Sequence, residues 1–269
     1  MPFVFDETRS YMMPFHFGPR QGGRGTGQYH DVTTMSVTYL TDRARLSAYI
    51  PEPFEVGAAP FVSVSYSMNR EIDWLAGHSY NIISVNASVV FNGKEDRLTG
   101  TYPLVLWENL TDPILTGREI EGIPKIYADI PDHSIIEGEW RASAGHFGHK
   151  IVDLTVKDLT PMTTAQIEEM RARAAQSHWM GWKYIPNIGR PGAAVSHPTL
   201  FPTSGVTREA WTGKSGEVVW QHLTWEQNPT QFHIVNALAD LPIVQYLAFM
   251  VTKGGSDLAV ANKPKRELR

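Results

Sequence analysis

The sequence predicts an α+β fold, mostly β: one large antiparallel sheet with a few peripheral helices. Two observations carry this. Apolar and polar residues alternate with a period of two in long runs, most clearly in Phe61-Val-Ser-Val-Ser-Tyr-Ser-Met68, the mark of a strand with one buried face. Gly (22) and Pro (18) together are about 15% of the 269 residues, above a usual ~12%, so the chain turns often. The 8 Trp suit an aromatic-lined interior.

Each element follows from local chemistry. Gly18 to Gln28 is a loop-like part of a leader, residues 1–28. Thr41 to Ile50 predicts a short helix, capped by Thr41 or Asp42 and stopped by Pro51 and Pro53. Strands are expected over Phe61 to Met68, Tyr80 to Phe91 and Leu98 to Trp107, with Asn92-Gly93 as a hairpin turn between the last two. More follow at Ser134 to Ala142 and Phe147 to Val156, and at Val206 to Trp211 and Glu217 to Trp225, the last two joined by a turn over Thr212 to Gly216. Thr163-Thr-Ala-Gln166 is a capping box opening a helix to Ala175. Asp240 caps a terminal helix in which Ile243, Leu247 and Met250 share a face. Asn262 to Arg269 is a polar, peripheral tail. No repeat or linker divides the chain, so 1–269 reads as one domain.

Composition excludes several functions. The net charge of −4 lacks the basic excess that nucleic-acid binding demands. The absence of cysteine removes disulfides, thiolate metal sites and a cysteine nucleophile. The N-terminus lacks signal-peptide character, and the longest apolar stretch, Leu241 to Val251, is shorter than the ~20 residues that span a bilayer. A soluble, cytoplasmic protein without membrane or nucleic-acid partners is expected.

Familiar motifs fail. Thr212-Gly-Lys-Ser215 ends like a phosphate loop, but Arg208 stands where its first glycine belongs. The glycines from 22 to 27 lack dinucleotide-binding spacing. His146-Phe-Gly-His149 sets two imidazoles on opposite faces of a strand, a poor metal site.

One segment carries chemistry: Trp107-Glu-Asn-Leu-Thr-Asp-Pro-Ile-Leu-Thr-Gly-Arg-Glu-Ile-Glu-Gly-Ile-Pro-Lys-Ile-Tyr127. Lys125 lies among Ile123, Pro124, Ile126 and Tyr127. Desolvation in an apolar setting lowers a lysine pKa from ~10.4 and yields the neutral amine that attacks carbonyls. A structural lysine with its ammonium in water is the alternative.

Gly117-Arg-Glu119 followed by Gly122-Ile-Pro-Lys125 resembles the active-lysine signature of the acetoacetate decarboxylase-like superfamily. The resemblance extends through Ile50 to Val56, Trp74 to Asn81, Phe91-Asn-Gly93, Gly145 to Lys150, Glu209 to Gly213 and Asp240 to Ile243. It implies a sheet curled into a cone or barrel, and a homo-oligomer. It also implies that Lys125 forms a Schiff base with a ketone, the iminium serving as electron sink. Acetoacetate decarboxylase is the standard example of a lysine activated by desolvation or a neighbouring cation.

Four departures matter. Ile126 replaces the second lysine of true acetoacetate decarboxylases, and Ile82 a glutamate after Tyr80-Asn81. Ser65 and Val32 align with an expected acid and an expected arginine. Efficient loss of CO₂ from acetoacetate is therefore not expected. In related aldolase-dehydratases a glutamine is placed like Glu121, which makes Glu121 a candidate general acid/base. Arg118 is a candidate carboxylate clamp or a fold-holding ion pair. Tyr80 is a candidate hydroxyl donor, and Trp107 and Trp74 are candidate pocket wall or core. The expected activity is a cofactor- and metal-independent lyase joining or splitting a 2-oxo acid such as pyruvate and an aldehyde, with dehydration. Decarboxylation of a β-keto acid and a non-catalytic small-ligand binder are the alternatives.

Overall fold

Alternation of the kind seen in 61–68 builds nearly everything in the computed structural model, which describes residues 2–19, 27–201, 205–257 and 265–269. Most of the glycine-rich leader loop (20–26), residues 258–261 and the first part of the tail (262–264) lie outside the described residues.

The strands are β1 (Gln28–Leu40), β2 (Phe54–Val56), β3 (Phe61–Ile72), β4 (Tyr80–Asn92), β5 (Arg97–Glu108), β6 (Lys125–Tyr127) and β7 (Ser134–Ile136). They continue as β8 (Glu139–His146), β9 (His149–Pro161), β10 (His178–Pro186), β11 (Ala193–Phe201), β12 (Gly205–Trp220), β13 (Gln245–Asp257) and β14 (Arg266–Glu267). All 14 join one sheet in the order β14-β11-β10-β5-β4-β3-β1-β13-β12-β9-β8-β7, with β2 beside β4 and β6 beside β5. The sheet is not purely antiparallel, because β5 runs parallel to both β6 and β10.

Period two decides the two faces. Met35, Val37 and Tyr39 of β1, Val62, Val64 and Tyr66 of β3, and Ile83 and Val85 of β4 all enter the main core. The alternate residues of β3, Ser63, Ser65, Ser67 and Asn69, lie on the opposite, more polar face. Helices are few: α1 (Arg43–Ser47), α2 (Thr111–Thr116), α3 (Thr164–Gln176) and α4 (Phe232–Ala239). Asp42 caps α1, accepting from Arg45 N–H at 2.8 Å, and Thr163 with Gln166 forms the expected capping box of α3. No described helix is long and apolar enough to cross a membrane.

Three expectations are corrected. Residues 212–216 form no turn, because β12 runs unbroken from Gly205 to Trp220. Its glycines serve packing instead: a Cβ at Gly213 would lie 2.6 Å from Val156 Cγ1, and at Gly216 2.3 Å from the Thr155 carbonyl oxygen. Asp240 does not start a helix but ends α4, and the apolar run after it is strand β13, paired with both β1 and β12. Long-range pairing on two sides outweighs the local helical pattern. The tail does not stand apart either, since β14 pairs with β11, Leu268 is buried, and Arg266 grips Asp96 through two nitrogens at 2.6 and 2.8 Å.

Candidate active site

The short strand β6 lies parallel to β5 with Lys125 opposite Leu106, and Leu106 N–H donates to the Pro124 carbonyl at 3.0 Å. Alternation along β5 turns Val105 and Trp107 into the main core. Leu106 and Glu108 take the other face, where they line a cavity with Lys125. The lysine thus arrives beside a carboxylate two residues along the neighbouring strand.

Two glycines make that arrival possible. Gly117 starts a π-helical turn, Gly117–Glu121, a distortion frequent at functional sites. A Cβ on Gly117 would lie 2.6 Å from both Cδ and Cε of Lys125, so the lysine stem occupies the space a side chain would need. Gly122 closes the turn at φ +80°, where a Cβ would also sit 2.5 Å from Lys183 Cα. Only glycine satisfies both demands.

Lys125 is buried, 8% exposed. Its Nζ lies 2.9 Å from Glu108 Oε1 and donates to the Pro113 carbonyl at 3.2 Å. The expected purely apolar setting is therefore corrected: a fully buried carboxylate faces the amine. Glu108 Oε2 has no hydrogen-bond partner among the described residues. Burial pushes the Glu108 carboxyl above its ordinary range, with the nearby Lys125 charge opposing that rise.

Glu121 lines the same cavity, although Lys125 belongs to β6 and the pair does not share a helix. Its carboxylate is ion-paired with Lys265 of the docked tail. Tyr80 also lines the cavity, its hydroxyl 3.1 Å from that of Tyr29. Burial pushes both phenols up, so each remains a hydrogen-bond donor at neutral pH. Val32 and Ile82 form apolar wall here, at two positions where the resemblance led us to expect charge.

Two expected pocket residues lie elsewhere. Trp107 is fully buried in the main core, and its Nε1–H donates to Gln231 Oε1 at 2.8 Å. Strand alternation sends it away from the cavity. Arg118 borders a different cavity, of about 450 Å³, with Tyr102 and His233. Its Nη1 donates to the Lys125 backbone carbonyl at 2.9 Å, so it braces the lysine's backbone and does not face the amine. Ser65 pairs with Ser84, Oγ to Oγ 2.8 Å, and the β3 side chains lining the site are Ser67 and Asn69.

Sequence reasoning missed Glu108, Tyr29, Asn69 and Lys265. Glu108 had a signal: it follows core-facing Trp107 in an alternating strand, so it must face the other way. Lys265 had none, because a tail's docking is not written in local pattern.

A family model described as acetoacetate decarboxylase matches residues 12–257. The chain is 28% identical over 218 residues to an acetoacetate decarboxylase of Ralstonia nicotianae, covering 78% of this chain and 76% of that one. It is 26% identical over 229 residues to one from Burkholderia ambifaria, covering 82% and 81%. Among solved structures it is similar in fold to an acetoacetate decarboxylase from Legionella pneumophila, with TM-score 0.71, 17% identity, and 91% and 88% of the two chains covered. It is also similar to the enduracididine biosynthesis enzyme MppR complexed with pyruvate, with TM-score 0.68, 14% identity and 95% of each chain covered. The match spans most of the chain and includes the segment that brings Lys125 to Glu108: this protein belongs to the acetoacetate decarboxylase family.

Proposed function

We propose that this protein is a carbon–carbon lyase that forms a Schiff base between Lys125 and a small oxo acid, and that its main reaction joins or splits a pyruvate-like 2-oxo acid and an aldehyde, with dehydration. One observation carries the reading: a buried amine in a cavity with two carboxylates, Glu108 at 2.9 Å and Glu121 on the same wall. Glu108, 2.9 Å from the amine, is placed to accept the lysine proton, and the neutral amine attacks the ketone carbon. Water leaves as the iminium forms. Loss of a proton from the adjacent carbon gives the enamine, which bonds to the aldehyde carbon while the aldehyde oxygen gains a proton. Elimination of that hydroxyl with a neighbouring proton releases water, and hydrolysis of the iminium returns the amine. Aldol addition and dehydration each move protons, the role we assign to Glu121, with the Tyr80 hydroxyl as a hydrogen-bond donor in the same cavity.

β-Keto acid decarboxylation is the second reading, favoured by the apolar walls Val32, Ile82, Leu106 and Ile123 and by the names of the curated relatives. Borohydride reduction after incubation with pyruvate or acetoacetate tests both. A mass adduct on Lys125, lost in Lys125→Ala, is expected, and enone absorbance on adding an aldehyde marks the aldol route. CO₂ release from acetoacetate at full turnover would establish the second reading instead. No adduct with either compound would remove both.

A further inference from the structure

Beside the Lys125 cavity lies a cleft of about 250 Å³, with Ile120, Glu121 and Lys265 lining both spaces. One wall of the cleft is apolar, from Ile120, Leu200 and Phe201. The other is built for polar contact. Lys183 and Lys265 line it, and Lys183 Nζ donates only to the Ile120 carbonyl, at 3.2 Å, among the described contacts. Thr199 is buried at 7% exposure, and its Oγ1, like Nδ1 of His197, has no hydrogen-bond partner among the described residues. Both residues line the cleft. A buried hydroxyl without a partner is destabilising, a penalty that a ligand oxygen placed there removes. The remaining cation, Arg266, is held by Asp96, and the Glu267 carboxylate, also on the lining, lies 3.3 Å from His197 Nε2.

We propose that this cleft is the subsite for the second substrate, and that it takes an aldehyde carrying a carboxylate. Lys183 and Lys265 supply the counter-charge, Thr199 donates a hydrogen bond, and the apolar wall holds the carbon skeleton. This rests on the Schiff-base reading of Lys125, whose iminium would lie one cavity away. Lys265 then has two partners in turn, Glu121 in the free protein and the aldehyde carboxylate in the complex, so binding of the second substrate frees Glu121 for proton transfer. The docked tail becomes part of the site.

The test uses the full chain with pyruvate and two probes that share one aromatic framework, 4-carboxybenzaldehyde and benzaldehyde. The carboxylated aldehyde is expected to have a KM about tenfold lower, the effect of one charge-assisted hydrogen bond of ~1.4 kcal/mol. Lys183→Met and Thr199→Val are expected to erase that preference, read as the ratio of the KM values for the two aldehydes. Calorimetric binding of the unreactive 4-carboxybenzoate gives a readout independent of turnover. Equal KM values for the two aldehydes, or 4-carboxybenzoate affinity unchanged in both variants, would overturn the subsite. Loss of trapping in the wild type, with Lys183-dependent 4-carboxybenzoate binding retained, would overturn the Schiff-base reading and leave the anion site standing.

Discussion

Lys125 and Glu108 face each other at 2.9 Å, the carboxylate fully buried and the amine nearly so. Burial raises the Glu108 carboxyl above the ordinary carboxylate value of 4.5, so over a range above that pH the folded protein binds a proton that the unfolded chain has released. Stability then falls as pH rises through that range, the sign that follows when the native state holds more protons. Glu108→Gln removes the titration. It is expected to flatten the pH dependence of unfolding above pH 4.5, measured by urea titration at several pH values, and to lower kcat about 10²-fold or more, the usual worth of a positioned acid–base group. An unchanged kcat would show that the carboxylate only supports the lysine's position. Glu108 was legible in principle, from strand parity beside Trp107. Its contact with Lys125 was not, because that contact depends on which strand lies next to which.

At the scale of elements, the tail is the clearest case. β14 is two residues long and adds little pairing of its own, so its hold comes from Leu268 in the cluster with Phe54, Phe91 and Met180 and from the Asp96–Arg266 pair. Side-chain hydrogen bonds from Arg266 hold the Asp96 carboxyl down, from 3.8 to about 2. A depressed carboxyl stabilises above its unfolded pKa and loses that contribution as pH falls, so docking of the tail weakens between pH 3.8 and about 2. At neutral pH, Asp96→Asn is expected to speed tryptic cleavage at Lys265 and Arg266 about fivefold. That corresponds to ~1 kcal/mol, kept small because the guanidinium is partly in water. Equal cleavage rates would mean that Leu268 and the backbone hydrogen bonds of Leu268 and Arg269 hold the tail without the ion pair. The expected hairpin at 212–216 and the helix after Asp240 went astray for a related reason. Glycine there answers the close approach of the neighbouring strand β9, and an 11-residue apolar run is ambiguous in period until its pairing partners are known.

Across the whole molecule, one sheet separates a core from a site. Trp107 and Glu108 are adjacent in sequence and opposite in function: the tryptophan closes the main core against Trp220 at 6.1 Å between ring centroids, and the glutamate faces the reactive amine. Trp107→Ala is expected to cost about 3–5 kcal/mol of stability, the range for a large buried aromatic. Below the melting temperature, borohydride trapping at Lys125 should persist, because the cavity lies across the sheet. A variant of wild-type stability that loses trapping would place Trp107 on the pocket wall after all. The sequence alone determined the sheet-rich class, the capped helices α1 and α3, and the single lysine worth testing. Alternation and helix capping are local, and local chemistry suffices to read them, while Lys125 was singled out by its segment's resemblance to a family signature. Tertiary structure decided that Glu108 faces Lys125, that Arg118 does not face the amine, and that Lys265 arrives from the far end of the chain. These depend on strand order and on a parallel pairing between β5 and β6. Side chains far apart in sequence meet only where packing of the whole chain brings their strands together.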